Sequence, residues 1–279
     1  MNPKIWFITG ASRGFGRIWA EAALKRGDKV TATARKIADV GGLRDLFGDA
    51  VLPLALDVSK PAQVQQAMEH AYRHFGKLDV LVNNAGYSLM AAVEEASDDQ
   101  IRDLFDVNYL GMVRVLRAAL PFLRKQRSGH ILGVSSGLGI GSIPLLGYYS
   151  ATKWAVEALH ESLAEEVKPF SIRVTIVEPG PYATDFGKSA TIADALEPYE
   201  ESRNLLRTHL STMERGDPAA TAGAILKLVD SNNPPLRLAL GSQMLPRARA
   251  LYADRLATWE AWADVTHAAQ GQSQIGLRS

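Results

Sequence analysis

The chain has 279 residues, 47% hydrophobic, 22% charged and 8% aromatic, which excludes disordered, collagenous and coiled-coil architectures and suits one large α/β domain. Lys and Arg number 31 against 30 Asp and Glu, so a net charge of +1 leaves no global attraction for nucleic acid or an anionic membrane, and neither partner is expected. The absence of cysteine excludes disulfides, thiolate metal centres and a thiol nucleophile.

Short apolar, β-branched runs alternate with stretches of helical period, the pattern of parallel βαβ units. Strands are predicted at 4–9, 29–34, 51–56, 79–82, 130–134, 172–177 and 236–240, the third carrying Pro53. Helices are predicted at 14–26, 62–75, 98–124, 148–168 and 218–230. The implied fold is α/β, a Rossmann-type doubly wound parallel sheet of about seven strands with helices on both faces. Residues 181–216 show no strand pattern and lie beyond the sixth strand, where a substrate lid near 185–215 is expected. After Gly241 the residues Tyr252, Leu256, Trp259 and Trp262 recur at helical spacing, which predicts an amphipathic helix packed on the same body. The start MNPKIWFITG lacks a secretory pattern, and no apolar run has the length of a spanning helix, so a cytoplasmic location is expected.

The first strand runs into Thr9-Gly10-Ala11-Ser12-Arg13-Gly14-Phe15-Gly16, and a helix follows at once. A strand, a glycine turn and a helix N-terminus let backbone N–H groups approach a pyrophosphate, which points to a dinucleotide site. The second strand ends in Thr33-Ala34-Arg35-Lys36, with no acid before Asp39 to receive a ribose hydroxyl. Arg35, joined by Arg13, is placed to meet a 2′-phosphate, so NADP(H) is expected over NAD(H).

Tyr149 and Lys153 are four residues apart and share one face of the predicted helix at 148–168. A nearby cation favours a phenolate, so the pair suits proton transfer, whereas Tyr148 is spaced from Thr152 instead. Ser135 and Ser136 follow the fifth strand at the carboxyl end where open α/β sheets bind ligands. Asn83-Asn84-Ala85-Gly86 closes the fourth strand, and Asn108 lies in the next long helix.

These motifs, TGxxxGxG, NNAG and YxxxK in this order, resemble the short-chain dehydrogenase/reductase family, over roughly residues 4–184 by motif and to Leu240 by architecture. The resemblance implies that Gly10, Ser12, Arg13, Gly14, Phe15 and Gly16 hold the cofactor phosphates and that Asp57 and Val58 flank adenine. It implies further that Asn84, Ala85 and Gly86 line the ribose region, that Pro179, Gly180, Tyr182 and Thr184 secure the nicotinamide side, and that Tyr149 and Lys153 also touch the cofactor. The family's catalytic tetrad maps onto Asn108, Ser136, Tyr149 and Lys153, with Ser136 favoured over Ser135 because it lies thirteen residues ahead of Tyr149. The sequence departs from the family at Phe15, often Ile or Leu, and at Gly133, usually polar such as Asn.

The implied reaction is hydride transfer from NADPH to a ketone or aldehyde, with Tyr149 delivering the proton, Ser136 orienting the oxygen, Lys153 lowering the tyrosine pKa and Asn108 supporting a water relay. Ser136, Leu138, Leu146, Tyr149, Tyr182 and Phe186 are the expected substrate contacts, with Leu89, Met90, Ile143 and Leu145 nearby, which suggests a hydrophobic carbonyl compound. The rival readings are a non-catalytic NADPH-binding regulator and an epimerase or dehydratase on the same fold. His70 and His74 share a helix face without a third ligand, and the arginines between 114 and 127 fit an amphipathic helix, so no metal is expected. Family members are often dimers or tetramers, so a homo-oligomer is implied. The resulting division is a dinucleotide-binding and catalytic domain at 1–241 and a helical extension at 242–279.

Overall fold

In a computed structural model of the chain, which describes residues 3–271, a seven-stranded parallel sheet forms the centre of the molecule. In chain order the first elements are β1 (Ile5–Ile8), α1 (Gly14–Lys25), β2 (Lys29–Ala34), α2 (Ala38–Phe47), β3 (Val51–Ala55), α3 (Pro61–Phe75), β4 (Val80–Asn83), β5 (Leu89–Met90) and α4 (Asp98–Phe105). They are followed by α5 (Gly111–Gln126), β6 (Gly129–Val134), α6 (Gly147–Val167), β7 (Ile172–Pro179), β8 (Thr191–Ile192), α7 (Glu200–Thr212), α8 (Thr221–Asp230), β9 (Arg237–Leu240), α9 (Met244–Ala261) and α10 (Ala263–Gln270). The sheet order is β3-β2-β1-β4-β6-β7-β9, so the chain reverses direction across the sheet between β1 and β4, and a crevice opens at the carboxyl ends there.

The strands are buried on both faces because side chains alternate between two cores. Trp6, Ile8, Val80, Val82, Leu132 and Val134 join α1, α2 and α8 on one side. Phe7, Leu81 and Ile131 join α3, α5 and α6 on the other. Two large indoles are buried without stranding their N–H groups: Trp6 donates to Asp28 and Trp19 to Thr221, each at 2.8 Å. Pro53 sits in β3, which pairs only with β2, and an edge strand tolerates the missing donor.

Several features differ from the sequence expectation, among them the unpredicted helix α2. The long helix expected at 98–124 is interrupted by one wider π turn, Asp106–Leu110, which carries Asn108. The segment expected to be a lid without strands contains β8, which pairs in parallel with β5, and the helix α7. Finally, α9 touches the body through Met244, Leu251 and Arg255, while Tyr252, Leu256, Trp259 and Trp262, the stripe expected to pack, are exposed. Met244 wedges against Gly137 and Gly180, and Arg255 donates to the Ile140 carbonyl at 2.6 Å. Residues 272–279 of the expected extension lie outside the described residues. Among the described residues no helix is long and apolar enough to cross a membrane.

Candidate active site

The glycine turn joins β1 to α1, and its shape follows from close approaches. Gly10 has φ of 67°, a region that favours glycine. A Cβ on Gly16 would collide with the Gly10 carbonyl oxygen, so α1 can sit this close to the turn only with glycine there. Thr9 fastens the turn to β4: its Oγ1 accepts from Asn84 N at 2.9 Å and Ala85 N at 3.0 Å. Asn84 completes the clasp by donating from Nδ2 to the carbonyls of Thr9 and Gly10, both at 3.0 Å. Asn83, by contrast, is buried with both side-chain polar atoms unpaired among the described residues.

Helix α1 starts at Gly14 with no side-chain cap from Arg13 and no acid in its first turn. An uncapped helix N-terminus beside a backbone turn is a cradle for an anionic phosphate, and the residues present fit a dinucleotide. Ser12 and Gly14 lie on that turn, and Thr184 faces Gly14 from the start of the lid. Arg13 and Arg35 are both exposed, and neither guanidinium hydrogen-bonds or ion-pairs with a described residue. Asp57 is held below its usual pKa: burial works against this, but hydrogen bonds from Ser59 and the charges of Lys60 and Arg35 prevail. Val58 packs its side chain against Gly111 at the start of α5. Pro179 ends β7, and Gly180 N donates to Leu240 O at 2.8 Å.

At the carboxyl ends of β4 and β6 the other expected residues meet. Asn108 is fully buried; Nδ2 donates to Tyr87 O at 2.8 Å and to Thr152 Oγ1 at 3.2 Å, and Oδ1 accepts from Tyr87 N at 3.0 Å. The π turn aims this side chain at the loop after β4, a common use of such bulges. Gly86 lies between Asn108 and Lys153. Lys153 donates to the Val134 carbonyl at 2.8 Å and lies 5.7 Å from the centroid of the Tyr149 ring. Ser136 begins the turn after β6, its Oγ accepting from Leu138 N at 3.1 Å. Tyr148 turns away and donates to Val93 O at 2.5 Å.

Burial pushes the Tyr149 phenol up to about 12, opposed by the Ser136 hydroxyl. The lowering expected from Lys153 does not counter this burial, which only the Ser136 hydroxyl opposes. The Lys153 ammonium is itself pushed down to about 8 by burial, partly offset by Glu157. On the open side, the Phe186 ring stands 5.7 Å from Tyr149, while Leu138 and Leu146 are partly exposed. Tyr182, expected to line both ligands, turns edge-on to Phe15 at 5.3 Å and packs against Gly216 and Gly241. Phe15 in turn stacks on Trp19 at 5.2 Å, so the departure from Ile or Leu extends the core beneath the glycine turn. Gly133 has a similar explanation: a Cβ there would overlap His160 Nε2, so the buried imidazole occupies the room a larger residue would need.

The lid is latched to the body. Glu95 accepts from Ala92 N at 2.6 Å and Leu196 N at 2.9 Å and pairs with Arg203, while Tyr199 donates to Glu94 at 2.7 Å. Leu206 of α7 packs on Ala92 and Leu145, and Leu145 is held at φ of 65°. Sequence reasoning did not assign roles to Tyr87 or Thr152, nor single out Glu95 or Glu157. Only the adjacency of Tyr87 to the NNAG run and of Thr152 to Lys153 offered a signal.

Comparison with known proteins agrees with this geometry. Residues 4–194 match the family model for short chain dehydrogenase. The chain is 41% identical over 268 residues to "Oxidoreductase BOA17" of Botryotinia fuckeliana, covering 94% of this chain and 98% of that one. It is 36% identical over 259 residues to the 3-ketodihydrosphingosine reductase of Bacteroides thetaiotaomicron, covering 91% and 92%. A solved short-chain dehydrogenase from Streptomyces avermitilis superposes with a TM-score of 0.90 at 38% identity, over 96% of this chain and 99% of that one. An alcohol dehydrogenase from Thermococcus sibiricus, complexed with 5-hydroxy-NADP, has a TM-score of 0.73 at 29% identity over 86% and 96%. A 3-ketoacyl-(acyl-carrier-protein) reductase from Brucella melitensis, complexed with NADH, has 0.73 at 29% over 85% and 96%. The chain belongs to the short-chain dehydrogenase/reductase family and is an oxidoreductase of the nicotinamide-using type.

Proposed function

We propose that the chain catalyses the NADPH-dependent reduction of a hydrophobic ketone or aldehyde to an alcohol, and the reverse oxidation. The observation that carries this reading is the convergence of buried Tyr149, Lys153 and Asn108 with Ser136 at the carboxyl end of the sheet. When bound, the reduced nicotinamide supplies the hydride for the carbonyl carbon. Tyr149 donates its phenolic proton to the carbonyl oxygen; a phenol pushed up to about 12 is fully protonated at neutral pH, the form that reduction requires. Ser136 orients that oxygen. Lys153 binds the nicotinamide ribose and brings positive charge to the Tyr149 ring. Asn108 fixes the Tyr87 backbone and supports a water relay from the lysine. Phe186, Leu138 and Leu146 give the pocket an apolar wall, and the name of the Bacteroides relative supports a ketone substrate.

The NADP(H) preference rests on Arg13 and Arg35, whose guanidinium groups have no partner among the described residues, and on the absence of an acid at the end of β2. The test is a panel of apolar ketones and aldehydes with NADPH and NADH, following cofactor absorbance and product together. Net consumption of NADPH, with a slower rate on NADH, is the expected result. Turnover without net consumption would replace the reading by an epimerase or dehydratase, and binding without turnover by a regulator.

A further inference from the structure

Glu157 lies one helical turn beyond Lys153 and two beyond Tyr149 on the same side of α6, with its side chain only 9% exposed. Arg237, reaching over from β9, places Nε 3.2 Å from Glu157 Oε2 and 3.6 Å from Glu178 Oε1 at the end of β7. The same guanidinium also pairs with Glu161. Glu157 Oε1 and Ser135 Oγ converge beside Gly139, immediately behind the turn that carries Ser136. The carboxylate is thus held by Arg237 and faces the Ser135 hydroxyl. Lys153, by contrast, has three donors but makes a single side-chain hydrogen bond among the described residues, to Val134 O, and no ion pair with any of them. A buried ammonium with one neutral acceptor is costly unless a negative charge lies near it.

Resting on the reductase reading above, we propose that Glu157 is a positioning residue: anchored by Arg237, its carboxylate keeps Lys153 charged and aimed at the ribose and Tyr149. The other groups around the pair are compatible with this. Along α6, Tyr149 is a neutral phenol and burial pushes His160 down to about 4, so its imidazole adds no charge. Asn108 of the π turn and Ser135 after β6 are uncharged. Glu178 is pushed up to about 7 by burial and by the charge of Glu157, while burial raises Glu157 as well, opposed by the Ser135 hydroxyl and by Arg237. Glu161 is largely exposed and held at the far side of Arg237.

The test reads Lys153 directly in the cofactor-free full chain carrying 13Cε-labelled lysine, its resonance assigned by loss in Lys153→Arg. Glu157→Gln is expected to lower the Lys153 protonation constant by at least about threefold, whereas Glu161→Gln leaves it in place. In reduction assays the high-pH limb of kcat moves to lower pH by the same factor in Glu157→Gln. An unmoved lysine titration overturns the proposal even if activity falls. A shifted titration in a chain that reduces no carbonyl leaves the Glu157 effect standing and refutes the reductase reading. Should Glu157→Gln not fold, the wild-type Lys153 resonance must show a second, smaller inflection where Glu157 titrates, and a single-step curve overturns the proposal.

Discussion

Two buried threonines, one just after β1 and one in β2, make opposite predictions from one principle. Thr9, 1% exposed, offers one hydroxyl oxygen to two backbone N–H groups and donates onward to Val82 O at 3.3 Å. Thr9→Val keeps the shape and strands both donors, at about 1–2 kcal/mol each, for a total loss of about 2–4 kcal/mol. For a domain of this size that lowers Tm by about 4–10 °C. Because those donors belong to Asn84 and Ala85, the glycine turn also loosens, and NADPH affinity is expected to fall about tenfold. Thr31, also 1% exposed, buries a hydroxyl with no partner among the described residues. Thr31→Val removes an unsatisfied group and is expected to be neutral or to stabilise by about 1 kcal/mol. Thermal unfolding of both variants, with Thr9→Ser as the control that retains the hydroxyl, and titration of NADPH by nicotinamide fluorescence, decide the matter. Equal Tm values for the two valine variants would refute the reasoning.

Gly133→Asn, which restores the family's usual residue, drives its side chain into His160 and is expected to destabilise by about 1–3 kcal/mol. The double variant with His160→Ala recovers part of that loss in denaturant unfolding, whereas strict additivity would show that the two sites are independent. Arg35→Glu is expected to cut kcat/KM for NADPH by about 10–100-fold, since a charge-assisted bond is worth about 1.5–3 kcal/mol, while NADH is affected much less; an unchanged ratio contradicts the phosphate assignment. Stability is also expected to fall in acid. The folded chain holds His130 down to about 3 and His160 to about 4 by burial, against an ordinary value of 6.5, so unfolding takes up protons below that pH. The stabilisation is complete above pH 6.5 and is lost as pH falls toward 4 for His160 and toward 3 for His130; Glu178, raised to about 7, works the other way as pH rises from 4.5. In Tm measured against pH, His160→Gln flattens the acid slope, and an unchanged slope counts against this origin.

The parts of the fold that could be read from sequence were those whose cause is local. All seven strands of the main sheet announced themselves as short apolar runs, and the edge position of β3 explains why Pro53 did not break one. Helix α2 was missed because Gly41 and Gly42 give it poor propensity, and it is held by burial of Val40 and Leu43. The β5–β8 pair was invisible because two residues per strand carry no period and their partners lie a hundred positions apart. The spacing of Tyr252, Leu256, Trp259 and Trp262 gave the right helix and the wrong face, since α9 is anchored by Met244 and Leu251. Within the site, the glycine turn and the Tyr149–Lys153 spacing are written in consecutive residues. The Arg237 anchor of Glu157 joins positions 80 apart, and the π turn at Asn108 depends on tertiary contacts to Tyr87 and Thr152. Such contacts have no signature in a single sequence.

The central claim is that Tyr149 is the proton donor of a carbonyl reduction powered by NADPH. It is tested most directly by Tyr149→Phe, measured for NADPH binding and for single-turnover oxidation of bound NADPH with an apolar ketone that the wild type reduces. The account predicts a fall in the rate of about 100-fold or more with NADPH affinity within about threefold of wild type. A variant that oxidises NADPH at a near-normal rate would contradict it.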